Sequence, residues 1–282
     1  MRFLPALLAL LLILAPAVRA DDEGEAEKPK PHTDAQLEEY EVHEKFEKGY
    51  EDDDIDRRMQ ALRYFGSWRH KSVLKELKKL WRREKQLELL AIAAEGLGNQ
   101  TPYAREAGKA LVKELEDRKD WASREDPEDE EELQQKLEAR VLVAGIRAVG
   151  ELGYVEGWDD LKDFIDHNHD DVAAEMMLVC GRLKEYRALP IILEWFNYYP
   201  DGYSWSGGSV RVDTGAAGNK DQRAAKAKWK AKYGGRKKKA RPLVWETMVE
   251  VVEMLTGEKM SKPEELKQWM EDNEDFLKKQ GV

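Results

Sequence analysis

The chain has 282 residues, a formal net charge of −10 and a single cysteine. An acidic balance of this size opposes affinity of the whole molecule for nucleic acid. One thiol excludes an intramolecular disulfide framework, so stability must come from packing.

Residues 1–20 read as an export signal. Met1-Arg2 is followed by an apolar run from Phe3 to Val18, then Ala17-Val18-Arg19-Ala20 ahead of Asp21. This is a charged start, an apolar stretch and a small-x-small cleavage site. The run falls short of the roughly 20 apolar residues that span a bilayer and contains Pro5 and Pro16. Cleavage removes Arg2 and Arg19 and takes the formal charge from −10 to −12. The expected location is periplasmic or secreted, with no transmembrane span after cleavage. Residues 21–33 are acidic and carry Pro29 and Pro31. Such composition predicts a disordered linker.

From 34 to 198 the chain reads as helix pairs. Thr33 or Asp34 caps a sparse first helix with Leu37, Tyr40 and Phe46 on its apolar face. The first pair is Ile55–Gly66 and Ser72–Arg83; the second is Gln86–Leu97 and Pro102–Leu115. Apolar residues at i, i+3, i+4 and i+7 support each. Gly98 suits a helix C′ position, and Thr101-Pro102 suits an N-cap followed by Pro at N1. Residues 118–131 read as a solvated acidic loop. The third pair is Glu132–Leu152 with Glu156–Asp166, and the fourth Val172–Leu183 with Ala188–Tyr198. Residues 199–240 predict a β-hairpin with a Gly207-Gly208 turn, then a basic helix over Gln222–Tyr233. A last pair, Leu243–Leu255 and Pro263–Lys278, fills 241–282, with Thr256-Gly257 ending its first helix. Ser261 and Glu264 stand at capping-box spacing.

A recurring phrase links these pairs: Ala61-x3-Phe65, Ala93-x3-Leu97, Ala148-x3-Leu152, Val179-x3-Leu183 and Val251-x3-Leu255. Phe65 to Leu97 is 32 residues and Leu152 to Leu183 is 31. Self-similarity at this period marks stacked helix pairs. The phrase resembles HEAT repeats, and the ending Val251–Gly257 with Trp269 looks like the last repeat of exported bacterial HEAT-repeat proteins. The resemblance implies an all-α HEAT-like α-solenoid of about five helix pairs, interrupted by the small β-hairpin insertion. It also implies a non-enzymatic scaffold whose second helices line a concave, partner-binding face.

No HExxH, GxSxG or phosphate-loop pattern occurs, so no catalytic residue and no cofactor is expected. The run Asp166-His167-Asn168-His169-Asp170-Asp171 mixes oxygen and imidazole ligands. His at i and i+2 cannot share a helix face, and a calcium loop would need Gly where Asp171 stands. The run therefore reads as a turn in which Asp170 or Asp171 caps the next helix, not as a metal site. Cys180 sits in an apolar helical stretch and reads as a core thiol.

Two basic regions stand out. One joins Lys75, Lys78, Lys79 and Arg82 in the second helix of pair one to Arg105, Lys109 and Lys113 in pair two. The other runs from Arg223 to Arg241 and includes Trp229, Lys237, Lys238 and Lys239. The first points to an acidic protein partner. The second points to an anionic glycan or lipid, with Trp229 either as anchor or, more in keeping with an aromatic pair Trp229 and Tyr233 on one helix face, docking the insertion onto the repeat core. The same lysines would equally serve as a solvated face balanced by the chain's own acidic segments.

Overall fold

The computed structural model describes residues 39–123, 129–198 and 241–282. The export signal, the acidic linker and the 199–240 insertion lie outside the described residues. The described residues are all-α: every regular element among them is a helix. In chain order these are α1 (Glu39–Tyr50), α2 (Ile55–Gly66), α3 (Lys71–Arg83) and α4 (Leu87–Gly98). A 3-10 turn (Thr101–Tyr103) leads into α5 (Ala104–Asp117). After α6 (Asp129–Glu151), α7 (Trp158–Leu161) continues into a 3-10 turn (Lys162–Asp166). Next are α8 (Asp170–Leu183), a 3-10 turn (Tyr186–Ala188) and α9 (Leu189–Tyr198). The last are α10 (Pro242–Thr256), α11 (Pro263–Asp272) and α12 (Glu274–Lys279). No helix among the described residues is long and apolar enough to cross a membrane.

The helices form two rows. In the first, α1 packs on α2, α2 on α4, α4 on α6, α6 on α8 and α8 on α10. In the second, α3 packs on α5, α5 on α7, and α9 on α11. Trp195 of α9 donates to Asp166 at 2.6 Å and so ties α9 to the turn after α7. Between the rows lies the core, where Phe65, Trp81, Phe164, Trp195 and Phe196 are all fully buried. Second helices meet one another more sparsely than first helices do.

The recurring phrase has a packing meaning. Its small residue lies where consecutive first helices cross. Ala148 of α6 faces Gly98 of α4, and Val179 of α8 faces Gly150 of α6. The Phe or Leu four residues on turns into the core: Phe65 and Leu97 are 0 % exposed. α4 has neighbours on several sides, so its small and aliphatic residues from Leu89 to Ala94 are all buried. α3 instead has one buried stripe, Val73, Leu74, Leu77, Leu80 and Trp81. That stripe forces its cations to the opposite face.

Several local expectations change. Gly98 is not a left-handed cap but the last helical residue, buried where a Cβ would meet the Ala148 backbone at 3.1 Å. Gly257 does take φ +80° after α10, a conformation glycine adopts without strain. Thr101 and Pro102 sit inside a 3-10 turn, so Thr101 caps nothing. The capping box shifts by one residue: Glu265, not Glu264, accepts the Ser261 and Lys262 backbone N–H groups at 3.2 and 3.3 Å.

The acidic stretch is not a solvated loop throughout. α6 already begins at Asp129. Ala122 is buried and pinned to α6, its N–H donating to Glu138 at 2.9 Å and its carbonyl accepting from Gln135 at 2.9 Å. Arg118 is also buried, its guanidinium over Trp81 at 4.6 Å and Trp121 at 5.2 Å. It donates to the Trp81 carbonyl at 2.8 Å and pairs with Glu114 at 3.2 Å. Burial pulls its pKa below the usual guanidinium value, with Glu114 and Asp117 opposing. Arg118→Met keeps most of the volume but strands the Trp81 carbonyl and removes both cation–π contacts. The expected cost is about 2 kcal/mol, read as a lowered urea midpoint; an unchanged midpoint would exclude this locking role.

Candidate functional site

The basic strip is built by helix periodicity. On α3, Lys71, Lys75, Lys79 and Arg82 recur at intervals of four and three on the face opposite the buried stripe, and all are exposed. On α5, burial of Ala107, Leu111 and Leu115 turns Arg105, Lys109 and Lys113 to solvent. The two helices are neighbours in the second row, so the strip is two columns wide. Lys78, half-buried, crosses the seam to Glu106 at 3.9 Å.

Neutralisation within the strip is partial. Lys79 pairs with Glu76 at 2.8 Å and Arg105 with Glu156 at 3.3 Å. Arg105 is 83 % exposed, and such pairs contribute about 0–1 kcal/mol. Among the described residues, Lys75, Arg82, Lys109 and Lys113 have no carboxylate at ion-pair distance. Seven sequence-predicted residues thus lie on two neighbouring helices, with Lys75, Lys79, Arg82, Arg105, Lys109 and Lys113 exposed and Lys78 half-buried at the seam. The remaining four, Trp229, Lys237, Lys238 and Lys239, lie outside the described residues.

Arg241 departs from the second basic region. It is 7 % exposed, pairs with Asp170 at 2.5 Å and stands over Trp195 at 5.5 Å. A guanidinium so enclosed docks α10 on α8 and takes no part in a basic surface.

The Asp166–Asp171 run serves the same joint. Asp166 accepts from Trp195, Asp170 holds Arg241, and His167 is 6 % exposed. The His167 Nδ1 accepts the His169 N–H at 3.0 Å and its Nε2 faces the Trp121 carbonyl at 2.9 Å. His169 is the residue before α8 and makes no side-chain cap; neither aspartate caps the helix. Among the described residues, no group of three or more His, Cys, Asp or Glu could hold a metal ion. Cys180 is fully buried, and burial pushes its thiol pKa far up.

Two further features escape sequence reasoning. Glu175, 6 % exposed, takes Arg147 at 2.7 Å and Arg182 at 3.3 Å. At the far end of the second row, Glu258, Glu264, Glu265 and Asp272 line an open cleft together with half-buried Trp269. Trp269 and the acidic positions of α11 were the available signals; their convergence depends on the turn between α10 and α11.

No family model matches the chain. No curated protein matches it either.

Proposed function

We propose that this protein is an exported, non-enzymatic protein–protein interaction scaffold of HEAT-like solenoid type, which holds an acidic partner on its row of second helices. The observation that carries this reading is the exposed two-column strip of α3 and α5, with four cations unneutralised among the described residues of an acidic protein. These four cations, Lys75, Arg82, Lys109 and Lys113, offer charge complementarity to an acidic partner. The rigid part is the close-packed first row, and the strip is displayed on it. Lys75, Lys79, Arg82, Arg105 and Lys109 steer the partner. Export rests on residues 1–20, and the HEAT-like reading rests on the recurring phrase and the two packed rows.

The test is charge reversal. Lys75→Glu, Lys79→Glu and Arg82→Glu together leave the buried stripe of α3 untouched, so helicity should be retained. Binding of a polyglutamate probe at low salt should fall by about tenfold or more. In wild type it should weaken as salt shortens the screening length towards about 3 Å at 1 M. Unchanged affinity in the triple variant would remove the strip from function.

A further inference from the structure

The second row carries opposite charge at its two ends. At one end, α3 presents Lys71, Lys75, Lys79, Arg82 and Arg83, all exposed, with Glu76 as the only acidic residue of the helix. At the other end is the cleft between the close of α10 and the outer side of α11, with a volume of about 730 Å³. Its lining holds four carboxylates, the indole of Trp269 and no lysine or arginine. Glu265 is committed to the Ser261 and Lys262 N–H groups, and Asp272 takes the Gln268 amide at 2.8 Å. Among the described residues, Glu258 and Glu264 have no ion-pair partner. Carboxylates and an indole lining one cleft suit a lysine or arginine head, through charge and cation–π attraction together.

We infer that the cleft receives the α3 edge of a second copy of this chain. This deepens the proposed function and rests on it, because it names the acidic partner of the strip as the α10–α11 end of another molecule. The complementarity lies within one sequence: one end of the row supplies cations without enough carboxylates, and the other supplies the reverse. The two surfaces differ, so the contact is heterologous: the molecule that gives its α3 edge keeps a free cleft, and the one that gives its cleft keeps a free α3 edge. Such a contact builds head-to-tail chains. It is sensitive to salt, since both surfaces are exposed.

The experiment measures mass by sedimentation of the purified protein, against concentration and salt. Wild type should exceed the monomer mass increasingly with concentration at about 0.05 M salt. It should return to monomer near 0.5 M, where screening is within a few ångströms. Two variants test the pairing. Lys75→Glu, Lys79→Glu and Arg82→Glu form one set; Glu258→Lys, Glu264→Lys and Asp272→Lys form the other. Each set alone should be monomeric with unchanged helicity. An equal mixture should associate again, because the acidic strip of one variant now meets the basic cleft of the other. A wild type that stays monomeric at low salt overturns the inference, as does a mixture that fails to associate when wild type does. If wild type is monomeric yet holds polyglutamate through the strip, only self-association falls. If polyglutamate is not held either, both readings fall.

Discussion

Replacing Gly96 with valine is expected to destabilise the protein by about 3 kcal/mol, the upper part of the range for overpacked cores. α2 and α4 cross with their backbones nearly touching. A Cβ on Gly96 would lie 3.1 Å from the Gly66 Cα and 3.1–3.2 Å from both Leu77 methyl carbons. A Cβ on Gly66 would lie 2.9 Å from the Gly96 Cα. Neither side can yield cheaply. One neighbour is main chain, and Leu77 is 0 % exposed, so its methyls can shift only by displacing other core side chains. Valine gains some helix propensity over glycine, a few tenths of a kcal/mol, and this is outweighed. The helices must part, and parting strains Gln100, which is buried and donates to the Trp68 carbonyl at 2.8 Å across the same pair. Gly66→Val should cost a similar amount. The double variant should cost clearly less than the sum, since helices already separated by one side chain admit the other. Urea unfolding of the four proteins completes the cycle. Additive losses would mean that the two glycines do not share one crossing.

How much of this was legible in the sequence depends on the range of the interaction. Helix positions follow from the 3.6-residue period, which is local. Ile55–Gly66 agrees at both ends, and α3, α8 and α10 differ from expectation by one or two residues. The exposed half of the strip follows in the same way, because once Val73, Leu74, Leu77 and Trp81 turn inward, Lys75, Lys79 and Arg82 must turn out. Caps fared worse. Gly98, Thr101, Asp170 and Ser261 all have the composition of a cap, yet tertiary contacts assign Gly98 to a helix crossing and Asp170 to Arg241, and local turns shift the other two: Thr101 into a 3-10 turn, Ser261 to one residue before the cap. Charged residues that end up buried were the least readable. Arg118 stands beside an acidic run and looks solvated. Only the folded chain shows Trp81, 37 residues earlier, beneath its guanidinium. Arg241 is read as the tail of a basic segment until Asp170, 71 residues away, is seen to meet it. The acidic cleft had the same difficulty, since it depends on how α11 turns back on α10.

The joint around His167 makes stability fall in weak acid, with a sign fixed by geometry. His167 is 6 % exposed and lies parallel to Phe164 at 6.0 Å. Its Nδ1 accepts the His169 N–H, so that nitrogen cannot take a proton without breaking the bond. Nε2 then carries the hydrogen and donates to the Trp121 carbonyl. Burial is the main cause that lowers its pKa from 6.5 to about 4, and the electrostatic influence of neighbouring His169 and Arg241 pushes the same way; the backbone hydrogen bonds to Trp121 and His169 oppose. The folded value lies below the unfolded one, so unfolded chains bind the proton first as pH falls. The stabilisation from the neutral ring is complete above about pH 6.5 and is lost progressively down to about pH 4. The full loss is roughly 3 kcal/mol, of which about 2 kcal/mol should appear between pH 7 and pH 4.5. Carboxylates titrate in the lower part of that window, so the informative quantity is a difference between proteins. His167→Gln places an amide donor where Nε2 stood and removes the titration. Its unfolding free energy should be lower than that of wild type at pH 7, and the gap should narrow by about 2 kcal/mol at pH 4.5. Equal pH slopes in the two proteins would show that the ring protonates as readily in the fold as outside it. The Trp121 turn, Asp166–Asp171 and the start of α8 would then not form the closed joint that their contacts describe.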